Sequence, residues 1–125
     1  MIALDSSALI AYLEGRDSAA ATAAGMVLDN HQACLPPVVV SEVLSDPKLP
    51  EQVAALIKAM PSLPVTEGYW ERAGALRARL IARGLKARLA DTLVAQSCLD
   101  HDVGLVTADR DFRHFAKFGK LRLLP

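Results

Sequence analysis

Met1-Ile2-Ala3-Leu4-Asp5-Ser6-Ser7-Ala8-Leu9-Ile10-Ala11-Tyr12-Leu13 opens the chain, and its reading decides the fold. An apolar run ends in one acid, Asp5. Two hydroxyls follow, and then an apolar pattern of helical spacing at Leu9, Ile10 and Leu13. This is the pattern of a short buried strand, a sharp turn and a helix. Ser6 or Ser7 is the expected N-cap, because a serine oxygen accepts from the free N–H groups of a first helical turn. Asp5 then stands at the carboxyl end of a strand, the edge where open α/β sheets bind ligands. A buried carboxylate without a partner is costly, so the rest of the chain should supply one.

Working outward, short apolar runs alternate with helical segments. Glu14-Gly15-Arg16 stops the first helix, Asp17-Ser18 starts a second over 19–28, and Asn30-His31 ends it. Ala33-Cys34-Leu35 reads as a second strand. Pro36-Pro37 breaks the chain and opens a helix over 38–45, which Asp46-Pro47 ends. Further helices are expected over 51–60 and 67–83, with an extended segment between Pro61 and Thr66. Tyr69, Ala73, Leu76 and Leu80 form the core stripe of the longer one, and Gly84 stops it. A helix over 89–102, a strand over 105–107, a helical turn over 112–118 and an edge strand over 121–124 complete the chain. Such alternation predicts a parallel sheet covered by helices on both faces, in one domain spanning 1–125.

Lys+Arg and Asp+Glu are each 14, so no global basic field calls for nucleic acid and any such binding must come from a local patch. Hydrophobic residues make up 52% and mean hydropathy is +0.24, which leaves apolar surface for a partner. Asp5 and Glu14 interrupt the first apolar run, which has no basic leader or small-residue cleavage site. No apolar stretch approaches the length of a membrane span. These features lead us to expect a cytoplasmic protein whose Cys34 and Cys98 are reduced thiols.

Three further acids stand in unusual surroundings. Glu42 lies in Val38-Val39-Val40-Ser41-Glu42-Val43-Leu44, a largely apolar helix; an exposed glutamate on an amphipathic helix is the equal alternative. Asp91 is flanked on its own face by Val94 and Ala95, and taken alone reads most simply as an N-cap. Asp109 mirrors Asp5, an acid just past the carboxyl end of a strand. Asp111, immediately before Phe112, reads as turn chemistry. Carboxylates brought together repel by roughly 4 kcal/mol per pair at about 4 Å and an effective dielectric of about 20. A cluster of Asp5, Glu42, Asp91 and Asp109 is therefore tolerable only with bound cations or shared protons. Oxygen ligands without His or Cys favour Mg²⁺ or Mn²⁺ over zinc. Carboxylate-held ions of that kind hydrolyse phosphodiesters through an activated water.

The opening stretch, Ser41-Glu42, Ala90-Asp91-Thr92-Leu93-Val94-Ala95 and Leu105-Val106-Thr107-Ala108-Asp109-Arg110-Asp111-Phe112 resemble the four motifs of PIN-domain ribonucleases. Among these the chain is most similar to VapC-type toxins of toxin–antitoxin pairs, over its whole length and in motif order. The resemblance implies a three-layer α/β/α fold around a parallel sheet of about four to five short strands. It implies Mg²⁺- or Mn²⁺-dependent cleavage of RNA, a homodimer, and a cognate antitoxin whose tail blocks the site. By position it makes Asp5, Glu42, Asp91 and Asp109 the catalytic, metal-binding acids, with Ser7 near the metal and Asp111 the alternative fourth acid.

Arg72, Arg79 and Arg83, followed by Lys86 and Arg88, form a local basic concentration, which fits either an RNA backbone or a solvated helix face. Tyr69 and Trp70 could stack bases, but Tyr69 is in phase with the core stripe. Cys98 and His101 lack a second ligand pair for zinc. There is no glycine-rich phosphate loop and no G-x-S-x-G around a serine. A receiver-like phosphoacceptor would want paired acids after the first strand, where Asp5 stands alone. A housekeeping RNA-processing nuclease and a catalytically silent binding module of the same fold are the remaining alternatives to a toxin.

Overall fold

The computed structural model describes residues 1–124. Among them the chain runs β1 (Ile2–Leu4), α1 (Ser6–Leu13), α2 (Ala19–Asp29), β2 (Ala33–Cys34), α3 (Pro37–Leu44), α4 (Glu51–Ala59), α5 (Tyr69–Ala82), α6 (Leu89–Asp100), β3 (Gly104–Val106), α7 (Phe112–Gly119) and β4 (Leu123–Leu124). The four strands are all parallel, in the order β2-β1-β3-β4, as the alternating pattern predicts. Ala3 pairs with Cys34 on one side and with Leu105 on the other, so β1 is central and buried on both faces.

The order has a mechanical consequence. From β1 the chain steps one way to β2, then crosses back over β1 to reach β3 and continues outward to β4. Right-handed crossovers then place α1 and α2 on one face of the sheet and α3 to α7 on the other. The reversal lies between β1 and β3, and their carboxyl ends open the crevice in which such sheets bind ligands.

Several boundaries differ from the sequence reading, each for a local reason. Asp5, not Ser6 or Ser7, caps α1: its Oδ1 accepts from the Ala8 N–H at 2.8 Å. α5 begins at Tyr69 rather than at residue 67, because Gly68 turns the chain at φ +81°. α6 ends at Asp100, before the left-handed Asp102 at φ +51°. β4 is only two residues long: Leu121 is drawn into the core, its N–H donating to the Phe115 carbonyl. The 61–66 segment makes one parallel bridge, Leu35 to Ser62, against the outer edge of β2.

The core holds Leu4, Leu9, Leu35, Val39, Leu76, Leu80, Leu105, Phe112 and Phe115, all fully enclosed. Tyr69, Ala73, Leu76 and Leu80 face it as the stripe predicts. Tyr69 also donates its hydroxyl to the Leu93 carbonyl at 2.7 Å, bracing α5 against α6. Cys34 and Cys98 are free and buried. No helix is long and apolar enough to cross a membrane among the described residues.

Candidate metal centre

The crevice at the β1/β3 carboxyl ends is a cavity of about 170 Å³ lined by Asp5, Glu42, Arg88, Asp91 and Asp109, with Val94 and Phe112 as apolar wall. All four acids singled out from the sequence reach it, from four different elements or their ends.

Asp5 is the innermost, 4% exposed. Its carboxylate accepts from the Ala8 N–H, from Ser7 Oγ at 2.8 Å and from Thr107 Oγ1. Ser7 Oγ in turn accepts from the Ala108 N–H at 3.0 Å, and Thr107 Oγ1 from the Asp109 N–H at 3.0 Å. The end of β1 and the loop after β3 are thus stitched together through Asp5. Burial raises the Asp5 carboxyl above its ordinary value; the Thr107, Ala8 and Ser7 hydrogen bonds oppose this, and Asp109 adds to it. Asp5 thus anchors the site through these hydrogen bonds and is also its innermost carboxylate, lining the cavity itself.

Thr107 is the member that the sequence reading did not single out. A signal for it is present in the chain: Thr107 lies two residues before Asp109, as Ser7 lies two after Asp5.

The three acids nearest one another are Asp91, Asp109 and Asp111, each half-buried, each with a carboxylate oxygen within 4.8 Å of the others. Asp91 is the third residue of α6, inside the first turn rather than at its cap. Its carboxyl is pushed up to about 6, first by burial and then by Asp109, with Asp111 and Glu42 adding repulsion and Arg88 opposing it. Asp109 keeps its expected place among the site acids and also takes the turn role expected of Asp111, which joins the cluster. Asp109 makes the turn, its Oδ1 accepting from the Asp111 N–H at 2.9 Å. Asp111 makes no capping hydrogen bond to α7 and instead turns its Oδ2 to Lys86 Nζ at 3.3 Å. The expectation of Asp111 as mere turn chemistry is therefore overturned. Glu42 is exposed and reaches the cavity from α3, its Oε1 accepting from Ser6 Oγ at 2.8 Å.

The donor set suits a hard divalent cation: carboxylate oxygens, half-buried, mutually repelling, with no His or Cys in the cluster. Asp91, Asp109 and Asp111 could hold such an ion, and Asp5 and Glu42 line the same cavity as Asp91 and Asp109.

The basic residues separate. Arg72 is committed to structure, its guanidinium donating to Asp100 at 2.7 Å, to Thr66 Oγ1 and to the Glu67 carbonyl. Arg83 lies 4.4 Å over the Phe118 ring. Lys86 pairs with Asp111, Arg79 is exposed, and Arg88 alone of the five lines the acid cavity. Trp70 is 62% exposed on α5.

A sequence model described as PIN domain matches residues 2–118. No curated protein matches the chain by sequence. Among solved structures, it is similar to a chain of VapBC2 from Rickettsia felis bound to a DNA fragment from the promoter of that pair. The TM-score is 0.75 at 20% identity, covering 99% of this chain and 98% of that one. The shared sheet and helices give the same fold in both.

Proposed function

The chain belongs to the PIN domain family, and from that premise we propose that it is a Mg²⁺- or Mn²⁺-dependent endoribonuclease, the toxin of a VapBC-type pair. The observation that carries this is the convergence of Asp91, Asp109 and Asp111 within 4.8 Å, two of which, Asp91 and Asp109, line one crevice with Asp5 and Glu42. Full-length likeness to a chain of a VapBC2 assembly supports the toxin reading over the housekeeping one. In this reading the protein works in the cytoplasm as a homodimer, and a cognate antitoxin holds it silent.

Asp91, Asp109 and Asp111 would hold the cation, with Glu42 and Asp5 completing the negative wall. When bound, such a cation supplies an activated water and neutralises charge that builds on a phosphate. The chain's own groups do the rest. Asp5 fixes the crevice, tying β1 to the Thr107–Asp109 loop, so the acids are held before substrate arrives. Arg88 brings a guanidinium to the cavity, where it can take a phosphate oxygen. Val94 and Phe112 limit water on the buried side.

The test is cleavage of structured and single-stranded RNA with Mn²⁺, with and without chelator. Wild type should cleave and the chelator should stop it. Asp5→Asn keeps the cap geometry and removes one charge, so it should fold and lose most cleavage. Full activity in that variant, or cleavage indifferent to chelator, would overturn the reading.

A further inference from the structure

A second cavity, about 240 Å³, adjoins the acid crevice and shares Asp109 with it as a common wall. Arg110 and Arg113 line it, together with Thr107 and the β4 residue Leu124. The two arginines lie one helical turn apart where the loop enters α7, the Arg113 N–H donating to the Arg110 carbonyl at 3.0 Å, so their side chains share a side. Both are exposed. Among the described residues neither guanidinium makes an ion pair or a side-chain hydrogen bond. By contrast, Arg16, Arg72 and Arg122 are each spent on an acid. Arg110 is chain neighbour to two carboxylates and still pairs with neither. Two uncommitted guanidinium forks beside a carboxylate crevice form a charge pattern that suits an anion with several oxygens.

We propose that Arg110 and Arg113 form a phosphate subsite for the substrate strand, holding a backbone phosphate next to the one over the acids. This rests on the nuclease reading and adds to it a second grip, at a position distinct from Arg88. The acids repel a polyanion, so a neighbouring cationic cavity gives the strand a reason to approach them. It also sets the line along which the strand lies across Asp109. The interaction is with phosphate, so it sets register and affinity without reading base identity.

The test is fluorescence anisotropy with a labelled single-stranded 2′-O-methyl RNA oligonucleotide in Mn²⁺, its integrity checked on a gel. Wild type, the Arg110→Gln/Arg113→Gln double variant and Arg16→Gln, outside both cavities, are compared over a salt series. The double variant should bind on the order of tenfold more weakly. Its log affinity against log salt should be shallower by roughly 0.7 for each phosphate that is no longer neutralised. Arg16→Gln should match wild type, and the melting shift on adding Mn²⁺ should be the same in all three. Equal affinity and slope in wild type and double variant would overturn the subsite alone. Loss of the Mn²⁺ shift in the double variant would also overturn it, by making the arginines supports of the acid loop. No binding by wild type would remove the nuclease reading, and the subsite with it.

Discussion

A carboxyl pushed up to about 6 holds a proton that the unfolded chain has already released, since an ordinary aspartate titrates at 3.8. Between those values the folded protein binds more protons than the unfolded one. Stability contributed by Asp91 is therefore present at low pH and falls as pH rises through about 6, opposite to a salt-bridged aspartate. Burial raises Asp5 as well, in the same direction, whereas Arg72 lowers Asp100 and works against the trend. Comparison with Asp91→Asn isolates the one group. In chelator, Asp91→Asn should melt higher than wild type near neutral pH, lose that advantage in mild acid, and cleave no RNA. A wild-type melting curve that improves on going from mild acid to neutrality by as much as the variant's would refute the assignment. Asp111 gives a second residue-scale prediction. It makes no cap, so Asp111→Asn should cost little stability and more than an order of magnitude in cleavage, measured by urea unfolding and RNA turnover. The acids are legible in the sequence because each breaks an apolar pattern. The division of labour between Asp109 and Asp111 is not, because it depends on which backbone N–H the loop turns toward which carboxylate.

At the scale of elements, periodicity and breakers carry most of the information. Helical positions follow from the Tyr69–Leu80 stripe, from Pro37 and from Gly84, and the structure keeps them. Strand lengths do not follow, because two or three apolar residues carry no period of their own, and tertiary packing decides. Leu121 has the sequence character of β4 but its N–H is taken by Phe115. Nor does the sequence give the brace between α5 and α6, in which Tyr69 Oη donates to Leu93 and accepts from Ser97 Oγ at 3.3 Å. That brace sits two residues along α6 from Asp91, so it fixes the helix that carries the acid. Tyr69→Phe keeps the ring buried and leaves Ser97 short of a partner. It should cost about 1 kcal/mol, within the range for a lost buried hydrogen bond, read by urea unfolding. A change in unfolding midpoint within error would show that the helices are held by packing alone.

The whole molecule carries equal numbers of acids and bases and a surplus of apolar surface. Ile10, Leu13, Leu56, Trp70, Ile81 and Leu89 are all at least 38% exposed. That surplus is the physical ground for expecting self-association, and sedimentation at micromolar concentration should give a dimer; a monomer at high concentration would remove it. The acid cluster makes the molecule's stability conditional in a further way. A ligand that binds only the folded form stabilises it by mass action, about 2.7 kcal/mol at roughly 100 times its Kd. For a domain of this size 1 kcal/mol moves the melting temperature by roughly 4 °C, so saturating Mn²⁺ should raise it by roughly 10 °C. Asp91→Asn should respond less, because it offers a weaker ligand set and so a higher Kd. It also begins from a higher metal-free melting temperature, because one source of repulsion is gone. The two curves should therefore converge or cross as Mn²⁺ is added. Equal shifts in wild type and Asp91→Asn would mean that the ion binds elsewhere, and the acid crevice would then need another explanation for its crowded carboxylates.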